Sequence, residues 1–261
     1  MSGVVTASAT DGVGIIELSR PEKFNCLSMA VISGIDEALT RFEADRSVRA
    51  ILVRSQGKHF CTGADLEEVS GLRGDGTALQ RFLAHGHRVF SRLEASPLPV
   101  IAAVQGLCLA GGIELMLSCD VIFAAKSTQV GDQHARYGLV PGWGGSQRLP
   151  RVVGVRRALD LLYTARWLKA EEALQWGLVN YVVEDGELGQ AAMDYCRSLV
   201  VKSPTGLAMM KQLARDGIEL SLEEANRLER DVVIGHMVSA DVSEGLAAFQ
   251  GRREPQFKNR V

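Results

Sequence analysis

Hydrophobic residues along the chain fall into two periods. Val13 to Leu18 and Ala50 to Arg54 are short runs rich in Val and Ile, closed by Gly, Pro, Ser or charged residues, the pattern of buried strands. Between them Val31, Ile32, Ile35, Ala38, Leu39 and Phe42 recur at helical spacing behind Ser28, a good N-cap. Val100 to Val104 and Val121 to Ala125 predict two more strands, joined by a Gly-rich turn and a short helix over Ile113 to Ser118. Thr77 to Glu94 places Leu79, Phe82, Leu83, Gly86, Val89, Phe90 and Leu93 on one helical face, and Pro97 and Pro99 end it. Beyond Pro150 the pattern is almost wholly helical, over Val155 to Thr164, Ala170 to Trp176, Leu188 to Val200, Thr205 to Arg215, Leu222 to Gly235 and Ser239 to Phe249. The chain therefore reads as α/β, with the sheet in the first ~150 residues and helices after it. No linker, low-complexity segment or fixed-period repeat divides it.

Composition narrows the function. The 29 Lys+Arg and 31 Asp+Glu give a formal net charge of −2, which argues against a dedicated nucleic-acid or membrane-surface binder. The 27 glycines in 261 residues exceed the usual ~7% and point to close backbone approaches. Size scaling lets about 73% of the unfolded surface be buried, enough for an enclosed site. Cys26, Cys61, Cys108, Cys119 and Cys196 sit in apolar settings without C-x-x-C spacing, and Met1 to Val5 lacks a basic, then apolar, leader pattern. The expectation is a reducing cytoplasm without export. The most apolar stretch, Pro99 to Ala125, is broken by Gln105, Gly106, Gly111, Gly112, Glu114 and Asp120, so it predicts a buried interior segment and not a membrane span.

Three segments carry candidate chemistry. Phe60-Cys61-Thr62-Gly63-Ala64-Asp65 follows a predicted strand, and Gly63 would let the Ala64 amide turn into a cavity; an ordinary strand-to-helix turn reads the same way. Ala110-Gly111-Gly112-Ile113-Glu114 pairs glycines at a helix start, where unmatched amides can hold a developing oxyanion. Glu114 lies in an otherwise apolar helix, where burial raises a carboxyl pKa and suits acid/base work, unless a buried arginine such as Arg148 pairs with it. His134 is either a proton carrier or a structural histidine. His85-x-His87 lacks helical ligand spacing and no Cys or carboxylate cluster completes it, which argues against a metal site; no Lys-Ser/Thr follows Gly142 to Gly145 and no G-x-G-x-x-G follows a strand, which argues against a P-loop or a Rossmann dinucleotide site.

Together, Arg20-Pro21-Glu22-Lys23-x-Asn25-x-Leu27, Gly63-Ala64-Asp65, Ala102-Ala103-Val104-x-Gly106, Gly111-Gly112-x-Glu114-Leu115, Cys119-Asp120 and Gly138-Leu139-x-Pro141-Gly142-x-Gly144-Gly145-Ser146-Gln147-Arg148-Leu149-Pro150 resemble the enoyl-CoA hydratase/isomerase (crotonase) family. The likeness extends through Ala173-Leu174-x-Trp176-Gly177-Leu178-Val179 to Pro255-x-Phe257-Lys258. It implies a crotonase-like spiral of ββα units over residues 1–195, and a helical region, 196–261, that builds trimers or hexamers and covers coenzyme A. It also implies an acyl-CoA substrate whose thioester oxygen lies between the Ala64 and Gly111 amides, with coenzyme A as part of the substrate and no separate cofactor. Lys23, Asn25, Leu27, Gly63, Asp65, Leu66, Pro141, Gly142, Phe257 and Lys258 would line the substrate site, Lys258 near the CoA phosphates or simply solvated.

Family hydratases resemble one another in using two glutamates to split water across an α,β double bond. The first maps onto Glu114, whereas His134 stands at the second position. Relatives that dehalogenate, hydrolyse thioesters or shift dienes carry an acid where Gly142 stands here. The resemblance therefore implies water addition or elimination, with Glu114 exchanging the proton and His134 orienting water or hydroxyl. Two alternatives stay open: an isomerase or lyase on a specialised acyl-CoA using His134, and a weakly catalytic CoA- or RNA-binding relative with a basic strip of Arg81, Arg88, Arg92, His85 and His87.

Overall fold

A computed structural model of the protein describes residues 3–258. The elements run β1 (Val5–Thr10), β2 (Val13–Leu18), α1 (Met29–Ala44), β3 (Ala50–Ser55), α2 (Leu66–Leu72), α3 (Gly76–Ala95), β4 (Val100–Val104), β5 (Leu107–Leu109), α4 (Gly111–Leu117), β6 (Val121–Ala125) and β7 (Gln129–Gly131). There follow α5 (Gly145–Val153), α6 (Val155–Thr164), β8 (Leu168–Lys169), α7 (Ala170–Gln175), β9 (Tyr181–Val183), α8 (Leu188–Val200), α9 (Pro204–Gly217), α10 (Leu222–His236) and α11 (Ala240–Gln250). The main sheet has the order β1-β2-β3-β4-β6-β9; β1 pairs antiparallel with β2, and every later pairing in it is parallel.

Alternation along these strands divides the interior into two cores. Ile16, Leu18, Ile51, Val53, Val100, Ala102 and Val104 face α1 and α3, while Val13, Ile15, Ala50, Leu52, Ile101 and Ala103 meet Leu188, Ala192, Met193 and Cys196 of α8. Covering both faces is what continuous apolar strands require. A second sheet, β5-β7-β8, carries the loops that lead into α4 and His134.

The predicted strands and long helices are present, but the sheet does not stop near residue 150. Strand β9 forms the far edge of the main sheet through Phe123↔Tyr181, and β8 closes the small one. Helix α5 runs through Pro150 behind Gly144, and α4 starts two residues earlier than the pattern suggests. The division expected at 195/196 falls inside α8, whose Cys196 is buried against the sheet. The helices beyond it are different: Met210, Ile218, Leu222, Ile234, Val238 and Phe249 are all exposed. Among the described residues, all five cysteines are buried free thiols and no single helix is long and apolar enough to cross a membrane.

Candidate active site

Two chain segments approach so closely that only glycine fits. Gly63 has φ +112°, and a Cβ on it would lie 3.0 Å from the Ala110 Cβ and 3.2 Å from the Gly111 nitrogen. A Cβ on Gly112 would overlap the Cys61 carbonyl oxygen, and one on Gly111 would lie 3.3 Å from the Ala64 nitrogen. Leu27 fixes the first segment from the other side: its amide donates to Gly63 O at 2.8 Å, and its carbonyl accepts from the Asp65 amide at 2.9 Å. A parallel bridge of this kind turns the intervening Ala64 amide away from Leu27. Ala110 caps α4 at φ +49°, ψ −118°, a conformation that costs an alanine about 1–3 kcal/mol and is held by its amide donating to Gly131 O. The Ala64 and Gly111 amides thus lie side by side, and neither donates to an acceptor among the described residues.

Glu114 follows one turn into α4 and is 1% exposed. Its Oε1 accepts from the Trp143 amide at 2.7 Å and the Gly145 amide at 2.8 Å, while Oε2 has no partner among the described residues. Arg148 is not its counter-ion: that guanidinium pairs with Glu94 at 2.5 Å and donates to Trp143 O at 2.7 Å. Burial raises the Glu114 pKa above its usual range, against the two backbone donors and the nearby His134 charge. The Trp143 indole packs edge-on to Phe82 and Phe90 and closes the space behind Gly111.

His134 is held by one carboxylate. Asp132, 1% exposed, accepts from the His134 amide at 3.0 Å and meets its ring Nδ1 at 2.8 Å. Burial disfavours the imidazolium, but the Asp132 hydrogen bond and charge, with that of Glu114, outweigh it and raise the His134 pKa. The ring borders a cavity of about 290 Å³ that is also lined by Ala64, Ala110, Lys23, Leu66 and Tyr137.

The structure brings together some of the expected site residues and sets others to different tasks. Lys23, Asp65 and Leu66 join Ala64 and His134 around the cavity, with Gly63 next to Ala64; Glu114 and Pro141, which meet beside Gly145, and Gly142, beside Leu83, are not among its lining residues. Asn25 does not face it: buried, at φ +53°, it accepts from the Arg20 amide and donates to the Gln56 and His59 carbonyls, pinning its loop. Leu27 is fully buried and acts through its backbone. Asp65 caps α2 and pairs with Arg20 at 3.1 Å. Phe257 lies elsewhere in the chain, its carbonyl held by Arg49 at 2.7 Å beside Gly12 and Val200, and Lys258 next to it is exposed. Arg88 and Arg92 of the basic strip pair with Asp36 of α1, and Arg92 also with Glu43, which removes most of its positive charge.

Sequence reasoning assigned no role to Asp132, Trp143 or Cys26. The i, i+2 spacing of Asp132 and His134 was the available signal, since aspartate commonly bonds a backbone amide two residues on. Cys26 lines the cavity, but burial and the Asp65 charge push its thiol up to about 11, so it is no thiolate near neutrality. Among the described residues no group of His, Cys, Asp and Glu is placed to hold a metal.

This architecture has close relatives. A model of the enoyl-CoA hydratase/isomerase family matches residues 8–260. The chain is 38% identical over 248 residues to a probable enoyl-CoA hydratase of Rhizobium meliloti (strain 1021), covering 95% of each. It is 34% identical over 251 residues to the short-chain-enoyl-CoA hydratase of Clostridium acetobutylicum, again covering 95% of each. The crystal structure of an enoyl-CoA hydratase from Bacillus anthracis superposes with a TM-score of 0.93 at 33% identity, covering 98% of this chain and 99% of that one. The fold is the crotonase fold, and the chain belongs to the enoyl-CoA hydratase/isomerase family.

Proposed function

We propose that the protein is an enoyl-CoA hydratase, adding water to, or eliminating it from, the α,β position of a 2-enoyl-CoA thioester. One observation carries this reading: two adjacent amides without acceptors among the described residues, those of Ala64 and Gly111, stand at the start of the helix that one turn later carries Glu114, a buried carboxylate whose Oε2 has no partner among the described residues. In the proposed reaction the thioester oxygen sits between the two amides, which stabilise the charge that develops on it. The water oxygen bonds to the β carbon while its proton passes to Glu114 Oε2, giving an enolate. The same proton then goes to the α carbon as the enolate collapses, so all of the water ends in the product and Glu114 is regenerated.

The raised pKa of Glu114 suits this exchange, because a carboxyl that both accepts and returns a proton works best near the ambient pH. His134 is assigned the orientation of water or of the product hydroxyl through Nε2. Coenzyme A is part of the substrate and no further cofactor is invoked. The folded chain also exposes 13548 Å², against roughly 11,000 Å² expected of a compact monomer this size, and much of the exposed apolar surface lies on α9, α10 and α11. That excess supports a homo-oligomer, a trimer or a pair of trimers.

The Asp132 contact favours a second reading, in which His134 carries the proton in a lyase or isomerase step and Glu114 positions it. Loss of the conjugated enoyl-thioester absorbance with short and medium 2-enoyl-CoA separates the two. Turnover by the unmodified protein, abolished in Glu114→Gln, supports hydration; turnover gained only on His134→Glu overturns it in favour of another acyl-CoA reaction.

A further inference from the structure

We propose that Asp132 is a positioning residue for this site: its single carboxylate fixes both the backbone and the ring of His134, so that Nε2 is the nitrogen presented to the cavity. The observation is geometric. One oxygen accepts the His134 amide at 3.0 Å and the other lies 2.8 Å from ring Nδ1, with Asp132 1% exposed. The ring cannot rotate about its χ angles without breaking the second contact, and the backbone cannot turn without breaking the first. A carboxylate can only accept, so Nδ1 must carry a hydrogen in the neutral as well as the charged ring. The neutral form is thereby the Nδ1–H tautomer with a lone pair on Nε2, and the charged form presents Nε2–H.

The charges around the ring support this assignment. Asp132 on its own segment and Glu114 from α4 are the groups that act on His134, and both favour its charged form against burial. On the opposite wall Lys23 is tied to Glu67 at 2.9 Å and Asp65 to Arg20 at 3.1 Å, so those four largely cancel. Tyr137 lines the cavity from the turn that follows, and Arg136 beside it is exposed. The position that resembles the second glutamate of family hydratases thus holds an Asp132-His134 unit, whose outward atom changes between donor and acceptor with pH.

The proposal rests on the hydratase reading only for its kinetic consequence, and the decisive measurement needs no substrate. Ring ¹⁵N spectra of the histidine-labelled protein, with His134 assigned by its loss in His134→Gln, report tautomer and titration directly. The expected result is an Nδ1–H tautomer for neutral His134, and a titration above that of an ordinary histidine. In Asp132→Asn the amide oxygen still accepts from the backbone, its NH₂ faces Nδ1, and the ring is driven to the Nε2–H tautomer with an earlier titration. If the reading of the function also holds, that variant loses about 10²-fold in kcat with KM little changed, because its neutral ring presents Nε2–H where the unmodified ring presents a lone pair. An Nε2–H tautomer in the unmodified protein, or titration and tautomer unaltered by Asp132→Asn, overturns the proposal. Absence of 2-enoyl-CoA turnover by the unmodified protein, with the spectra as expected, overturns the hydratase reading and leaves this one standing.

Discussion

Asp65 and Glu114 are two buried carboxylates that follow, in the chain, the neighbouring amides of Ala64 and Gly111, and they are treated in opposite ways. Asp65 accepts from the Glu67 and Glu68 amides as the cap of α2 and meets the Arg20 guanidinium. Burial pushes its pKa up, but the bonds from Arg20, Cys26 and Glu68 outweigh this and hold it below its usual value. Glu114 receives two backbone donors on one oxygen, no salt bridge and no donor on the other oxygen among the described residues, and burial wins over those donors and the nearby His134 charge. Burial alone therefore does not mark a reactive carboxylate. What separates the two is whether every acceptor site has a donor and the charge has a partner. Asp65 is a fastener for the loop that carries Ala64, and Glu114 keeps one oxygen without a partner among the described residues.

The sharpest test of that contrast is Glu114→Gln. The Gln oxygen can still accept from the Trp143 and Gly145 amides, so the fold should survive while proton exchange at the second atom is lost. We expect 2-enoyl-CoA turnover to fall about 10²- to 10⁴-fold, with binding of CoA thioester by calorimetry unchanged. Retained turnover would remove Glu114 from the reaction.

Asp65→Ala should show the reverse profile. It removes a helix cap and leaves Arg20 half-buried without its carboxylate, so we expect about 2–4 kcal/mol of lost stability in urea unfolding. Turnover per folded molecule should drop less than tenfold, since neither amide nor Glu114 is altered. A variant as stable as the unmodified chain but inactive would make Asp65 a substrate contact instead.

Gly112→Ala tests the frame that both carboxylates share. Its new Cβ would run into the Cys61 carbonyl oxygen, and backbone must move to admit it. The expected loss is about 1–3 kcal/mol, accompanied by reduced turnover because Cys61 and Gly112 lie within three residues of the two amides. Unchanged stability would mean that the close approach of the α4 start and the 60–65 loop is slack.

How far these features can be read in the sequence depends on how local they are. Gly63, Gly111 and Gly112 were legible because a tight approach demands glycine, and Glu114 because a carboxylate in an apolar helix is conspicuous. The long strands and the α1 and α3 faces were legible from period alone. Strands β7, β8 and β9, of two or three residues, exist only through their pairing partners and carry no period. Asn25 and Asp65 lie in segments that resemble a ligand-binding loop, yet their side chains hold that loop together, a division of labour that no spacing reveals. Asp132 leaves only its i, i+2 spacing to His134 as a mark in the sequence, and its ring contact appears only when the turn after β7 folds the His134 ring back onto it.

The smallest effect, and the most discriminating, is in the pH dependence of stability. Asp65 has a folded pKa below its ordinary value near 3.8, so its contribution is present above that value and is lost as pH falls through the lower, folded one. Glu114 has a folded pKa above its ordinary value near 4.5, so the stability linked to it is full below 4.5 and is lost as pH rises through the raised value. Replacing each by its amide removes the titration. The stability of Glu114→Gln relative to the unmodified protein should therefore rise with pH above 4.5, whereas the deficit of Asp65→Asn should be largest near neutrality and shrink below 3.8. Thermal melts of the three proteins across this range read both slopes. Parallel curves for the two variants would mean that both carboxylates are equally well partnered in the folded chain, and the distinction between fastener and reactive group would fall.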